Sequence, residues 1–419
     1  MRLTLFCAMA GLLAACTGPA RTPAPDAAPK TASEARPAQP AQPQNRPAEK
    51  PEAAQPAETP RAAQPDDKPA DVKRGKLEDP DEPEQKRALE IIERVTGLKF
   101  KKAIPVYVYT PEDLAAEMKE WGGDFVPENI LGFYKPSTKA FYLVPKAAGN
   151  KRSFGLRVHE ATHALQDQHF DLILLHQSVK TTDQDHALTA VIEGHAVQVM
   201  IDGLSDLSPH VARIADVTVP TDKHNPAAWH TVFYYAMGAK FVQALKARGG
   251  YADVHKAFGS LPASSEQILH PEKYTTEPDW PDRIELDIEA VKAAAPKGFE
   301  LKGQDTLGEW TTRMLFTAEP ATFDAAEALA RGWGGDAEVT LATSGRDAKV
   351  VKLWVTSWDS EEEAAEFHTA LAKLPDVRAS ARDKRLVTLV RSSETLDASI
   401  AEALMQAGGK ARITLDPAK

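Results

Sequence analysis

The stretch from residue 17 to residue 83 limits what this chain can build. It holds 15 of the 31 prolines, and no aromatic residue occurs between Phe6 and Phe100. Such a segment cannot bury enough apolar surface to offset the entropy of ordering it, so residues 16–83 are expected to form a disordered tether. Runs such as PAQPAQPQ favour extended polyproline II, with a reach of at most about 200 Å. A folded body is expected from residue 84 onward, long enough for a core without disulfide staples.

The chain opens MRLTLFCAMAGLLAACTGPA. Arg2 precedes an apolar run too short to cross a bilayer, and residues 1–15 read as a signal peptide. Leu13-Ala14-Ala15-Cys16 resembles the lipobox of bacterial lipoproteins, which implies cleavage before Cys16 and a diacylglycerol on its thiol. The alternative is a plain secretory signal with Cys16 incidental. Thr17 after the cysteine implies, by the same resemblance, outer-membrane sorting at the cell envelope. Cys7, the other cysteine, lies in the segment to be removed, so no disulfide is expected. A formal charge of −10 argues against nucleic acid as the main partner.

The body reads as α+β. PEQKRALEIIERVTGL is an amphipathic helix, IPVYVY a strand, and TPEDLAAEMKEW a helix with Thr110 as N-cap. GFYKPSTKAFYLV reads as an aromatic hairpin turning at Lys135-Pro136-Ser137-Thr138. Helices are then expected over about 153–169, over 185–204 with Leu188, Val191, Ile192 and Val199 buried, and over 227–250, ended by Gly249-Gly250. A short helix, YADVHKAFG, and a loop-rich return, LPASSEQILHPEKY, follow. Beyond residue 300 the strands and helices lack βαβ regularity, with GWGGD read as a turn; a smaller α+β module is expected over 301–419.

The chemistry concentrates in RVHEATHALQDQ, residues 157–168. Positions i and i+4 share a helix face, so His159 and His163 can offer imidazole nitrogens to one metal ion. Glu160 is rotated roughly 100° from His159, where a carboxylate can take a proton from a metal-held water. Neutral imidazoles suit Zn²⁺, and a catalytic zinc needs a third protein ligand. AVIEGHAVQ, on the next helix, provides Glu193. The alternative is a half-buried helix whose histidines are satisfied polar residues.

HEATH followed by Glu193-Gly194-His195-Ala196 resembles the gluzincin metallopeptidases, whose third ligand is a glutamate on the helix after the HExxH helix. The resemblance implies zinc on His159, His163 and Glu193, with Glu160 as general base. It also implies a zincin-like catalytic domain over 84–300, with the aromatic hairpin as the edge strand that pairs with a peptide. His195 is a rival third ligand. Gluzincins often orient a zinc histidine with an Asp four residues after the glutamate; here that position is Val197, and Asp167 or Asp185 are substitutes. For the oxyanion, His270 is the first choice, with Tyr274, Tyr234 and Tyr235 behind it. HEATHALQDQHFDL, VIEGHA and SSEQILHPEKY also resemble a family of uncharacterised envelope proteins, often lipoproteins.

The expectation is thus a membrane-anchored zinc metallohydrolase acting on a peptide or protein substrate. Two alternatives stand beside it: a zincin-fold binding or scaffold lipoprotein without turnover, and a metal-dependent hydrolase of another substrate class.

Overall fold

The computed structural model describes residues 75–120, 131–144, 151–205, 226–316, 323–345, 347–392 and 395–414. The signal-like start, Cys16 and the tether up to residue 74 lie outside the described residues.

The first elements are β1 (Lys76–Leu77), α1 (Pro83–Thr96), β2 (Val106–Val108), α2 (Pro111–Glu120), β3 (Gly132–Lys135) and β4 (Ala140–Leu143). Their sheet runs β1-β2-β4-β3, with β2 and β4 parallel and the other pairs antiparallel. The hairpin turns as expected, with Thr138 N donating to Lys135 O and Lys139 at positive φ. Thr110 caps α2: its hydroxyl oxygen accepts from Asp113 N at 3.2 Å.

Helices follow: α3 (Lys151–Phe170), α4 (Leu172–Ser178), α5 (Thr182–Leu204), α6 (Pro226–Thr231), a π-helical turn at Val232–Met237, and α7 (Gly238–Gly259). The break expected at Gly249-Gly250 is a kink, with Gly250 at φ 65°, before the chain resumes its helix. The buried stripe expected on α5 is too narrow. Every residue from His186 to Met200 is buried, because α5 is packed by α1, α3, α7 and the π-helical turn on different sides.

The return contains α8 (Ser265–Leu269), capped by Ser264, and α9 (Glu272–Thr275), where the sequence suggested mostly loop. Then come β5 (Arg283–Glu285), α10 (Ile288–Ala294), β6 (Glu300–Asp305), α11 (Gly308–Met314), α12 (Phe323–Ala330), β7 (Trp333–Ala342), β8 (Val350–Trp358), α13 (Glu361–Leu371), β9 (Val377–Asp383), β10 (Leu386–Ser392), α14 (Ala398–Gly408) and β11 (Arg412–Thr414). GWGGD is not a turn. It opens β7 through a bulge at Trp333/Gly335, which lets Trp333 enter the core.

The antiparallel sheet β6-β7-β8-β10-β9 is covered on both faces. Strand alternation sends Trp354, Trp358, Val387 and Leu389 to a core with α13, and Val351, Leu353 and Val390 to a second core with α10 and α14. The class is α+β.

By their contacts the described residues form one unit, and a polar seam ties α5 to the elements after residue 300. Thr182 donates through N and Oγ1 to the two oxygens of Asp305, at 2.8 and 2.6 Å. Asp183 N donates to Thr306 O, so donors at the start of α5 that have no partner within the helix are paired across the seam. Asp336 does the same for α11, accepting from Leu307 N and Gly308 N at 2.8 and 2.7 Å. Gly308 has φ +85°, and a Cβ there would lie 1.7 Å from Asp183 Oδ1. Trp310, fully buried, stacks on Phe233 of the helical core at 4.7 Å.

A fragment ending at residue 300 should therefore fail to unfold cooperatively in urea. Losing a buried Trp alone costs about 3–5 kcal/mol, against a total stability of about 5–15 kcal/mol. A cooperative fragment with the midpoint of the intact chain would contradict this. Asp183 generates a second prediction. Its carboxyl accepts from Ser265 N at 2.8 Å, and burial pushes it up to about 7. Its contribution is complete below the unfolded value of 3.8 and is lost as pH rises through about 7, because the unfolded chain ionises first. The difference in unfolding free energy between the native chain and Asp183→Asn should shift toward the variant between pH 4 and pH 8. A pH-independent difference would refute the assignment.

Candidate metal centre

His159 and Glu160 sit in the third turn of α3 and His163 in the fourth, and Glu193 lies at the middle of α5. Crossing of the two helices brings the side chains together: His159 Nε2 is 3.0 Å from Glu193 Oε2, His163 Nε2 is 3.4 Å from the same oxygen, and the two Nε2 atoms are 3.0 Å apart. All three residues are buried, at 1 to 3% exposed. Two imidazoles and one carboxylate at this separation match the donors that zinc takes.

Glycine makes the crossing behind Glu193 possible. A Cβ on Gly194 would lie 2.2 Å from the backbone of Gly238, and one on Gly238 equally close to Ala190 O. The glycine of the E-G-x-A element thus serves backbone contact between α5 and α7.

Glu160 is turned toward the sheet. Tyr134 N, on edge strand β3, donates to Glu160 Oε2 at 2.8 Å. Burial pushes this carboxyl above its ordinary value, against the pull of His159 and His163. Burial would also depress His163 and raise Glu193, but their mutual attraction wins: His163 is held up and Glu193 down.

The residue that engages His163 from behind is one the sequence reading missed. Gln166 Oε1 lies 2.9 Å from His163 Nδ1, while its Nε2 is 2.8 Å from Ile192 O and 2.9 Å from His195 Nδ1. Its position, one turn after His163 on the same face, was the available signal. Neither proposed aspartate has this role. Asp167 accepts from Tyr134 OH and Lys139 Nζ at 2.6 and 3.0 Å, and Asp185 pairs with His176 at 3.3 Å. His195 is no third ligand: its Nδ1 faces Gln166, and its ring packs on Tyr251, His255 and Phe258.

Among the oxyanion candidates, Tyr235 stacks on His159, with centroids 5.8 Å apart, and burial raises Tyr234 with help from Asp185 and Glu193. Both tyrosines lie in the π-helical turn, a local distortion that often marks functional sites. Tyr274 OH donates to Ser260 O. The His270 ring reaches Glu309 at 3.1 Å, on the seam with α11.

A second acidic group, Glu266, Asp279 and Asp359, has the spacing of a cation site, but Lys273 Nζ lies 2.5, 3.1 and 3.3 Å from these carboxylates and takes the place of a cation. No described lysine or arginine pairs with Glu193.

The family described as a domain of unknown function (DUF8575) matches residues 298–413, which carry the covered sheet and none of His159, Glu160, His163 and Glu193. No curated protein and no solved structure matches the chain.

Gly194→Ala should separate α5 from α7 and lower stability by roughly 1–3 kcal/mol or more, read from urea unfolding. An unchanged midpoint would show that the helices are free to part.

Proposed function

We propose that the chain is a zinc hydrolase of gluzincin type, with a zincin-like catalytic domain, held at the bacterial cell envelope by a lipid on Cys16, and that it cleaves peptide bonds. One observation carries the reading: the donor atoms of His159, His163 and Glu193 lie within 4.8 Å of one another, with Glu160 beside them on the same helix. Zinc in such a site supplies a water acidified to a pKa of about 7 and a Lewis acid for the scissile carbonyl.

The remaining roles belong to the chain. Glu160 takes the proton of the attacking water and passes it to the leaving amine; its raised affinity for a proton suits a group that must hold one between steps. Tyr134 N–H orients one carboxylate oxygen, leaving the other for the transfer. Tyr235 restrains the His159 ring by stacking. Strand β3 is the edge on which an extended peptide backbone adds, in the manner of β-augmentation. The elements after residue 300 hold the start of α5 and so the helix that carries Glu193.

The zinc-loaded chain should hold one metal ion, weakened or lost in His159→Ala and in Glu193→Ala. Glu160→Gln should keep the metal and lose peptide hydrolysis by about 10²–10⁴-fold, the usual contribution of a general base. Full activity in Glu160→Gln would overturn the mechanism, and a metal-replete chain without zinc would overturn the site. The burial of all four residues, at 1 to 6% exposed, favours a second reading, a zincin-fold scaffold lipoprotein without turnover. Zinc binding without hydrolysis across peptide substrates would select it.

A further inference from the structure

We infer that Gln166 is a positioning residue that reads the polarity of the Ile192 backbone carbonyl and passes it to His163, fixing which ring nitrogen faces Glu193, with His195 holding the amide in place. The inference rests on the zinc-site reading and extends it to residues that touch no metal.

What each group can donate or accept fixes the orientation of the amide. A backbone carbonyl only accepts, so the Gln166 atom 2.8 Å from Ile192 O is the amide nitrogen. The carbonyl oxygen of the amide is then the atom 2.9 Å from His163 Nδ1, which must donate to it. With its proton on Nδ1, His163 presents a bare Nε2 lone pair toward His159 and Glu193, the form a metal ligand needs. The second amide hydrogen points to His195 Nδ1 at 2.9 Å, which accepts it. Gln166 is buried, and this arrangement uses both hydrogens and the oxygen.

The flipped amide fails on two sides. Its oxygen would face the Ile192 carbonyl, and its nitrogen would ask His163 Nδ1 to accept, moving the proton onto the nitrogen needed for the metal. Ile192 immediately precedes Glu193, so one amide links the ring of a ligand on α3 to the backbone that carries the ligand on α5. His195 contributes through its Nδ1 and through ring packing against Tyr251, His255 and Phe258.

Zinc affinity by chelator competition, and the visible spectrum of the cobalt-loaded chain, test this without any substrate. Gln166→Met keeps the volume and removes the polarity; it should weaken zinc by about 10–100-fold and shift the cobalt bands. His195→Phe keeps the ring packing and frees one amide hydrogen, and should weaken zinc less, in the same direction. A packing role alone would lower the thermal midpoint of the metal-free chain without moving the cobalt spectrum of either variant. Native zinc affinity and spectrum in both variants would overturn the inference and leave the zinc site standing. A native chain that binds neither zinc nor cobalt would overturn both.

Discussion

The helix Thr182–Leu204 is buried from His186 to Met200, and several polar groups it carries find partners inside the protein. An unpaired polar group away from water costs about 1–3 kcal/mol, and an unpaired charge more. Glu193 meets the two histidines of α3, His195 meets Gln166, and Gln198 donates to Asp202, itself held by Lys246 and Tyr251. The candidate site is thus part of the way a central polar helix is tolerated, and its geometry inherits the rigidity of the packing around it.

The same helix explains why the elements after residue 300 matter to the site. Its first donors end on Asp305 and Thr306, and the Asp183 carboxyl sits against Gly308. The family match begins at residue 298, near the start of β6, so the matched region meets the helices of the site through this seam. Trp310 crosses it and belongs to the helical core, whereas Leu307, three residues earlier, belongs to the core under α13.

Charge separates the two clusters that have the spacing of a cation site. In one, Lys273 already sits among three carboxylates as their cation, and the ion pairs brace α8 and α9 against Asp359. In the other, the partners of Glu193 are two imidazole rings, whose nitrogens a metal can take as ligands. That difference, more than the count of acidic ligands, makes the second a candidate for chemistry.

Local information was enough for the helix and hairpin periods, the Thr110 cap and the break at Gly249-Gly250, because each depends on residues a few positions apart. The i,i+4 spacing of His159 and His163 placed both rings on one face for the same reason. What the sequence could not determine is which buried polar residues meet once the elements pack together. It offered Asp167 and Asp185 behind the histidines where the fold uses Gln166, and it read GWGGD as a turn where a bulge opens a strand. The burial of α5 on all sides and the seam through Asp183, Asp305 and Asp336 were likewise decided by the tertiary structure. Periodicity records which face of an element is apolar, whereas the pairing of buried polar groups depends on where a second element brings its own.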